Sequence, residues 1–403
     1  MLNRVFVSGY GFVSAFGKSW IEFKAALDEN KSAIRYMSEW DKYRDLMTKI
    51  AAPIDGYKPP KEWDRKQLRS LGRVSQYAVE AAGLAIKNAG LNNSDISKFG
   101  VASGSSTGST DAIASMARLL LDGQSDCNAN TYIKMMPHTT AANIALFYKL
   151  TGRIIPTSSA CTSASHAIGY AYESIKYGIC ETMIAGGAEE LCASEAYVFD
   201  TLYATSTKND TPKSTPAPFD TNRDGLVLGE GGAYVILESE DSLKRRGGRA
   251  IAEVVGFGST CDGTHITRPN SQTMKEAMEF ALKDAKISPS DIGYINAHAT
   301  ATKHGDIAES IATNELFGLN VAISSLKGHI GHTLGACGAI EAIASIMMMN
   351  ENEFYPTRNL KKIDNECAKL NYLRAKTMID THFIMSNNFA FGGVNTSLIF
   401  KKL

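Results

Sequence analysis

Short apolar runs that alternate with helical stretches constrain the fold of this chain most strongly. Residues 5–8 and 292–297 each form such a run, and each is followed by helical sequence. Apolar strands connected through helices are typical of a largely parallel sheet that helices cover on both faces. The alternation occurs before and after the polar stretch 244–248. We therefore expect an α/β protein with two similar halves, residues 1–245 and 246–403.

The first predicted strand leads into a glycine-rich stretch. Residues 5–8 predict a buried strand, residues 9–17 a loop with glycines at positions 9, 11 and 17, and residues 20–27 a helix. The spacing is only loosely similar to a dinucleotide-binding fingerprint, because Ser14 occupies the place of the third glycine and no acidic residue ends a second strand about 20 residues later. The stretch does not predict a nucleotide site.

Composition narrows the classes of partner. The 403 residues are 44% hydrophobic, which is enough for one large core or two fused domains. Lys plus Arg and Asp plus Glu each total 42, so the net charge favours neither nucleic acid nor an anionic membrane as a partner. The longest apolar stretches, such as 342–349, are shorter than the roughly 20 residues that span a bilayer. We expect no nucleic-acid partner and no membrane insertion.

Cysteine usage indicates a reducing compartment. Seven cysteines, an odd number, occur without CxxC pairs or zinc-finger spacing. This argues against a disulfide framework and against a structural metal site. The apolar run at the N-terminus is too short for a signal peptide. We expect a cytoplasmic protein.

One cysteine, Cys161, lies where a predicted strand gives way to a helix. Residues 153–175 begin with a short apolar run, pass through small residues on both sides of Cys161 and continue as helical sequence. Small residues suit a tight turn, and a thiol at a helix N-terminus faces the positive end of the helix dipole, which favours the reactive thiolate. This stretch alone fits either a nucleophile or a buried, inert thiol.

Two polar segments each have a functional and a structural interpretation. The basic run 61–73 predicts a helix that could bind an acidic carrier protein or simply expose a solvated face. Residues 220–225, Asp-Thr-Asn-Arg-Asp-Gly, imitate the first half of a calcium loop. They lack the later glutamate at the proper distance and the two flanking helices, so we do not expect calcium there.

Three loops in the second half carry further reactive side chains. Each follows a predicted strand, which is where open α/β sheets place their sites. The residues are His298, Thr300, Thr302, Asp306 and Glu309 in the first loop, Lys327 and His332 in the second, and Phe389 and Phe391 in the third.

With these loops in place, the chain resembles the elongating β-ketoacyl-[acyl-carrier-protein] synthases, which are condensing enzymes with a Cys-His-His site. The resemblance covers essentially the whole length. It rests on Ser-Ala-Cys161-Thr-Ser-Ala, His298-x-Thr-x-Thr with Gly305-Asp306-x-x-Glu309, Lys327-x-x-x-Gly-His332-x-x-Gly-Ala, and Asn-Asn-Phe-x-Phe-Gly-Gly-x-Asn395. Each motif alone would be weak, but the four in this order are specific.

The resemblance implies a fold and a set of roles. The fold is the thiolase fold, with two βαβαβαββ-type halves in a five-layered α-β-α-β-α arrangement. The implied assembly is a homodimer, or a heterodimer with a related subunit. Cys161 would carry the acyl group, and His298 and His332 would donate hydrogen bonds to the thioester oxygen. Lys327 would support the two histidines and form a salt bridge with Glu309.

The remaining roles follow from the same motifs. The backbone N–H groups of Cys161 and Phe391 would stabilise an oxyanion, and Phe391 would also act as a gate. The other implied residues are supports at Asp306, Glu309 and Phe389, and tunnel-wall candidates at Met135, Met136, Phe199 and Phe389. The hydroxyls of Thr300 and Thr302 fit either binding of the pantetheine arm or stabilisation of their own turn. We interpret Glu341 and Asn395 as loop-bracing groups. His166, His265, His304, His329 and His382 are interpreted as structural.

The implied partner is an acyl carrier protein, and neither a metal nor a separate cofactor is implied. Substrates would arrive on the carrier's phosphopantetheine arm, and hydrogen bonds would stabilise the enolate that decarboxylation of a malonyl group produces. The expected reaction is a decarboxylative condensation in fatty-acid or polyketide chain elongation.

The sequence departs from the family pattern at a few positions that affect the expected acyl chain-length preference and the gating by Phe391. Ala299 and Ala301 replace the usual Gly and Ser, Lys303-His304 stands where Pro often follows, and Ala390 precedes the gating Phe391. A methyl group in that glycine-rich loop would restrict its movement. Together with residues 135–140 and 335–338, these features are more similar to the synthases of bacterial aryl-polyene pigment clusters than to housekeeping fatty-acid enzymes.

Two alternatives share the fold. A coenzyme A thiolase would need a second catalytic cysteine in the late loop, where this chain has Phe391-Gly-Gly. A chain-length factor, the non-catalytic partner that shapes the tunnel of an active synthase, usually lacks the nucleophile. Here Cys161, His298 and His332 are all present, which favours an active acyltransferase.

Overall fold

The computed structural model describes residues 2–123 and 127–403, and strands alternate with helices in both halves. The strands are β1 Val5–Val13, β2 Arg35–Tyr36, β3 Ile50–Ala52, β4 Gly100–Gly104, β5 Ile154–Thr157, β6 Thr182–Glu189, β7 Leu228–Gly229, β8 Gly231–Ser239, β9 Ala252–Cys261, β10 Ile292–Asn296, β11 Ala322–Ser324, β12 Glu353–Phe354, β13 Asn371–Tyr372, β14 Thr377–Met378, β15 Phe383–Ala390 and β16 Val394–Lys401. The helices are α1 Trp20–Asp28, α2 Arg65–Leu68, α3 Arg73–Asn88, α4 Thr110–Asp122, α5 Ala129–Met135, α6 Thr139–Tyr148, α7 Ser163–Lys176, α8 Ala193–Asp200, α9 Glu240–Arg245, α10 Ser271–Ala285, α11 Lys303–Phe317, α12 Lys327–Ile330 and α13 Cys337–Glu351. None of these described helices is both long enough and apolar enough to cross a bilayer.

One mixed sheet of 11 strands runs through both halves, in the order β13-β11-β10-β15-β16-β9-β1-β8-β6-β4-β5. In this spatial order, the first six strands belong to the second half of the chain, and the last five, which are β1, β8, β6, β4 and β5, belong to the first half. Strand β1 connects the two sets because it pairs antiparallel with both β8 and β9. The predicted division after residue 245 coincides with the end of α9, and the sheet is continuous across it.

Helices cover the outer face of the sheet and also pack on its inner face, between the strands of the two halves. On the outside, α3 packs against β1 and β8, and α10 packs against β9 and β16. On the inside, α7 and α13 contact each other and the strands of both halves, and their residues Ile168, Ile343 and Met348 are fully buried. A helix that is apolar on most sides must be enclosed in this way. The five-layered thiolase fold that the resemblance implied is confirmed.

The predicted loop after residue 8 is wrong, because β1 continues through Gly9 and Gly11 to Val13. Helix α3 crosses this strand closely. A Cβ atom on Gly9 would lie 2.6 Å from the carbonyl oxygen of Ala85, and one on Gly11 would lie 2.4 Å from that of Ala81. These glycines therefore allow α3 to pack closely against β1, and they do not form a turn.

The predicted helix over the basic run 61–73 is also wrong. Only α2, four residues long, is helical there, and α3 begins at Arg73. Gly72 interrupts the run with extended backbone, and a Cβ atom at this position would lie 2.5 Å from Cβ of Ser109. The charged side chains of Lys61, Arg65 and Lys66 are exposed, so the run presents solvated charges without a continuous helical face.

Candidate active site

Cys161 lies in a tight turn between β5 and α7. Residues 160–162 form one 3₁₀ turn, and α7 begins at Ser163. Ala160 has a φ of 51°, a left-handed conformation that residues with side chains rarely adopt. The hydroxyl of Ser163 donates to the Ala160 carbonyl at 2.7 Å, and that of Thr162 donates to the Ser159 carbonyl at 2.7 Å. Small hydroxyl residues thus hold the turn that presents Cys161.

The sulfur of Cys161 is buried but has hydrogen-bonding neighbours. Nε2 of His332 lies 3.0 Å from it, and the backbone N–H groups of Phe391 and Cys161 point toward it. Burial nevertheless raises the pKa of the Cys161 thiol to about 11, because desolvation of the thiolate outweighs these N–H groups and the charge of Lys327. The N–H groups at the turn favour the thiolate, as expected, but burial outweighs them, so the thiol is protonated at neutral pH.

His298 and His332 stand next to each other beside this sulfur. His298 follows β10, and His332 follows α12, where Gly331 turns the chain at a φ of 70°. Their ring centroids are 5.1 Å apart and their planes are nearly perpendicular, at 83°. A ring nitrogen of each and the Cys161 sulfur all lie within 4.8 Å of one another. The sequence placed the three residues in one site, and the structure brings them together.

Both histidines are neutral. Burial lowers the pKa of each imidazole well below its usual value, and the charge of Lys327 lowers the pKa of both further. A neutral imidazole carries one N–H donor and one nitrogen acceptor. The site therefore offers two hydrogen-bond donors without a fixed positive charge on either ring.

Lys327 forms its ion pair with Glu341 and not with Glu309, so that part of the prediction is wrong. Lys327 Nζ contacts Glu341 Oε1, and both side chains are almost fully buried. Burial opposes the charge on Lys327, but Glu341, together with Cys337 and Glu309, outweighs it and raises the pKa of Lys327. The partners lie on α12 and α13, and no motif spacing reveals that their side chains meet. Glu341, interpreted as a loop brace, is the counter-ion of the site.

Glu309 and Asp306 instead fix the loop that carries His298. The Glu309 carboxylate accepts the backbone N–H groups of His298 at 2.8 Å and of Ala299 at 2.7 Å. Asp306 accepts the N–H groups of Phe219 at 2.7 Å and of Ala301 at 3.1 Å. Two buried carboxylates at the start of α11 therefore hold the loop through its backbone.

A cavity of about 440 Å³ leads from Cys161 toward the surface. Thr300 and Thr302 line it, and their hydroxyl oxygens lie 3.1 Å apart. Arg268 and Lys303 are exposed lining residues. Lys303 is paired with Glu366 at 2.9 Å. The cavity thus combines a buried thiol, wall hydroxyls and a charged outer part.

Aromatic rings line the same cavity near Cys161. The ring of Phe391 meets that of Phe199 edge to face at a centroid distance of 5.4 Å, and Phe389 lies edge to face with His298 at 6.4 Å. Of the residues expected in the tunnel wall, Phe199 and Phe389 line this cavity, whereas Met135 and Met136 lie outside it as the structure describes it.

Cys161, His298 and His332 are also a donor set that metal ions accept, since their ligand atoms lie within 4.8 Å of one another. The ammonium group of Lys327 is close enough to lower the pKa of both histidines. The same charge would repel a metal cation at this place. The arrangement therefore fits hydrogen bonding and proton transfer better than metal ligation.

Two residues at the site had no assigned role in the sequence-based prediction. Asn388 places its Nδ2 atom 3.4 Å from Nδ1 of His298 and donates to Glu341 Oε2 at 2.9 Å. The Cys337 thiol donates to the carbonyl oxygen of Cys161 at 3.2 Å. The sequence signals were the pair Asn387-Asn388 within the last motif and Cys337 within residues 335–338, and a sequence cannot show which of these side chains face the site.

Comparisons with known proteins agree with this geometry. The family model of the β-ketoacyl synthase N-terminal domain matches residues 2–242, and that of the β-ketoacyl synthase C-terminal domain matches residues 251–361. The 3-oxoacyl-[acyl-carrier-protein] synthase 1 of Haemophilus influenzae is 35% identical, over 100% of this chain and 99% of the relative.

Solved structures are similar over the whole chain as well. A β-ketoacyl synthase from Burkholderia phymatum STM815 is 52% identical with a TM-score of 0.99, and 100% of both chains is covered. A ketosynthase structure in complex with its chain length factor, from Xenorhabdus doucetiae, gives a TM-score of 0.86 at 26% identity, over 100% of this chain and 98% of that one. The chain therefore belongs to the β-ketoacyl synthase family of acyl-transferring condensing enzymes.

Proposed function

We propose that this protein is a 3-oxoacyl-[acyl-carrier-protein] synthase that joins an enzyme-bound acyl group to malonyl-[acyl-carrier protein] with loss of CO₂. The observation that carries the proposal is the 3.0 Å contact between His332 Nε2 and Cys161 Sγ, with the neutral ring of His298 beside it. A thiol, a base for its proton and a second imidazole donor are the groups that this two-step chemistry needs. The names of the curated relatives support the same reaction.

In the first step Cys161 takes the acyl group. His332 Nε2 accepts the thiol proton, the sulfur attacks the carbonyl carbon of the acyl thioester, and the bond from that carbon to the pantetheine sulfur breaks. The proton passes from His332 to the departing pantetheine thiolate. The N–H groups of Cys161 and Phe391 stabilise the oxyanion, which forms next to the sulfur that they face.

In the second step malonyl-[acyl-carrier protein] occupies the cavity. Its carbon–carboxylate bond breaks, CO₂ leaves, and the electron pair forms an enolate whose oxygen accepts a hydrogen bond from His298 Nε2. His332 adds a second hydrogen bond once the hydrogen of its neutral ring has exchanged through solvent from Nδ1 to Nε2, the nitrogen that accepted the thiol proton in the first step. The enolate carbon attacks the acyl carbonyl, the bond to Cys161 Sγ breaks, and the β-ketoacyl group remains on the carrier. The Cys161 thiolate then takes a proton from water. The charge of Lys327 favours neutral imidazoles throughout.

The cavity wall suits a carrier-bound substrate. Thr300 and Thr302 present hydroxyls to the amides of a pantetheine arm, and the exposed Arg268 complements an acidic carrier protein. Because the acyl groups arrive as thioesters and hydrogen bonds stabilise the enolate, no separate cofactor or metal takes part in the scheme.

The edge strand β5 provides a surface for a second subunit. β5 ends the sheet and pairs only with β4 among the described strands, and Ile154 at its start is 45% exposed. Unpaired backbone groups and apolar side chains on an edge strand favour pairing with another chain. The assembly is a homodimer through this edge; the alternative is a heterodimer with a related subunit, as in the structure from Xenorhabdus doucetiae.

The pathway is chain elongation of the aryl-polyene or polyketide type, in the cytoplasm. The motif variants at 135–140, 335–338 and Ala390 support this pathway. The edge-to-face pair Phe199 and Phe391 supports it as well, because aromatic rings next to Cys161 suit contact with an aromatic or conjugated acyl group. A reducing compartment keeps the thiol of Cys161 free.

The test is intact mass spectrometry with a panel of acyl-[acyl-carrier proteins] that carry saturated, polyenoyl or aryl groups. The wild-type protein is expected to gain the mass of one acyl group and then to convert malonyl-carrier protein into β-ketoacyl-carrier protein. Cys161→Ala is expected to gain no acyl mass. A folded wild-type protein that neither accepts any acyl group nor releases CO₂ would instead be a non-catalytic chain-length-factor subunit.

A further inference from the structure

The amide group of Asn388 connects the buried ion pair to His298. Its Nδ2 atom donates to Glu341 Oε2 at 2.9 Å and lies 3.4 Å from His298 Nδ1, nearer than to Cys337 Sγ at 3.6 Å. Glu341 in turn contacts Lys327 through its other carboxylate oxygen. Asn388 is fully buried on β15, so water does not compete for these contacts. Lys327, Glu341, Asn388 and His298 therefore form one continuous polar chain.

We propose that Asn388 is a positioning residue that holds neutral His298 in the tautomer with its hydrogen on Nε2. An amide NH₂ group only donates, so a hydrogen bond from it requires an unprotonated Nδ1 on the imidazole. The single hydrogen of the neutral ring then lies on Nε2, the nitrogen that remains for the substrate. This inference rests on the proposed function, in which His298 donates to the enolate oxygen.

The orientation of the Asn388 amide follows from its neighbours. With the amide turned over, its carbonyl oxygen would face the Glu341 carboxylate, which is held as an anion by Lys327. Two negative oxygens in that contact would repel each other. Gly338 leaves room for the amide oxygen, because a Cβ atom there would lie 2.8 Å from Asn388 Oδ1. The ion pair thus orients the amide, and the amide orients the ring hydrogen.

The consequence for the reaction is specific to one step. Loss of the Asn388 donor removes the preference for hydrogen on Nε2, so part of the population presents a bare Nε2 to the enolate oxygen. Decarboxylation is then slowed by about 10- to 100-fold, the order found when the hydrogen-bond partner that orients a metal-ligating histidine is removed. Transfer of the acyl group to Cys161 is expected to be unchanged, because His332 and not His298 contacts the sulfur.

The experiment uses the full-length protein labelled with ¹⁵N in its histidine rings. His298 is assigned by comparison with His298→Gln, and its two ring nitrogens report the tautomer without any substrate. The test variant is Asn388→Leu, which keeps the side-chain size and removes the donor. The matched control is Asn387→Leu, because Asn387 is equally buried on the same strand but contacts Met278 Sδ and Ser397 Oγ.

The expected wild-type spectrum shows an unprotonated Nδ1 and a protonated Nε2 on His298. Asn388→Leu is expected to mix the tautomers and to slow decarboxylation alone, and Asn387→Leu to leave the His298 signals unchanged. A wild-type His298 with its hydrogen on Nδ1, or the same tautomer in folded Asn388→Leu, overturns the proposal. If Asn388→Leu does not fold, the wild-type spectrum still decides. An inactive wild type with the expected spectrum would contradict the proposed function and not this assignment.

Discussion

Nε2 of His332 lies 3.0 Å from Sγ of Cys161, although 171 residues separate them in the chain. The other ring nitrogen, Nδ1 of His332, has no hydrogen-bond partner in the part of the chain that the structure describes. No acceptor among these residues therefore stabilises a doubly protonated His332, and burial favours the uncharged pair of thiol and imidazole over a thiolate and an imidazolium. The free enzyme is thus a neutral pair that ionises as it reacts.

Alkylation of Cys161 tests this state. Because burial raises the pKa of the Cys161 thiol to about 11, the thiolate fraction and the iodoacetamide labelling rate should increase about tenfold per pH unit from pH 7 to 10. Intact mass spectrometry measures the rate, with Cys161→Ala correcting for the other cysteines. A labelling rate that already levels off below pH 8 would indicate a thiolate–imidazolium pair instead.

The two histidines should separate the two half-reactions. His332→Ala is expected to slow both acylation of Cys161 and decarboxylation, because His332 contacts the sulfur and also faces the enolate. His298→Ala should slow decarboxylation by about 10²- to 10³-fold, the usual effect of losing one oxyanion donor, and leave acylation near the wild-type rate. Acyl-enzyme formation and CO₂ release are measured separately. Equal loss of acylation in both variants would contradict the assignment.

The buried ion pair should respond strongly when only one partner is removed. Lys327→Met leaves the Glu341 carboxylate buried without its cation, so the free energy of unfolding should fall by about 3–5 kcal/mol. The double variant Lys327→Met/Glu341→Gln should recover most of this loss. The surface pair Arg245 and Glu181, each 61% exposed, is the control, and Arg245→Met should cost less than about 1 kcal/mol. Chemical denaturation measures all of them, and an equal effect of the buried and exposed substitutions would refute the argument.

His166 should make the fold sensitive to acid. Its ring bridges Ser159 and Ser259, and burial lowers the pKa of His166 from 6.5 to about 4. Below pH 6.5 His166 binds a proton in the unfolded chain, whereas in the folded protein it binds one only near pH 4. The associated stability is therefore complete above pH 6.5 and declines by about 3 kcal/mol as the pH falls to 4.

The substitution His166→Gln should remove most of that pH dependence, as measured by denaturation at pH 7 and pH 4.5. His382→Gln, at an exposed position, serves as the control and should keep it. If the free energy of unfolding falls equally between pH 7 and pH 4.5 in the wild type and in His166→Gln, groups other than His166 cause the fall.

The edge strand β5 should determine the oligomeric state. Ile154→Asp places a charge on the exposed side of this strand and is expected to shift the protein from two chains to one in light-scattering measurements. Ile21→Asp on α1 is the control, because Ile21 is 81% exposed on a different element. A wild type that is monomeric alone and pairs only with a related subunit would support the heterodimer.

Local pattern was sufficient for most helices and strands of this protein. The predicted strand 292–297 and the predicted helix 20–27 correspond to β10 and α1 within one residue at each end, because hydrophobic periodicity reflects which face of an element is buried. The pattern failed at Gly9 and Gly72, where contacts with α3 and Ser109 explain the glycines. Such contacts join residues far apart in the chain.

The candidate site divides in the same way. Sequence alone identified Cys161, His298, His332 and Lys327, because their residue types and their order along the chain are characteristic of one chemistry. Three-dimensional packing selected Glu341 as the counter-ion of Lys327, placed Asn388 against His298, and left Cys161 protonated. These properties depend on distances between separate helices and strands and on exclusion of water, and neither quantity is encoded in the spacing of a motif.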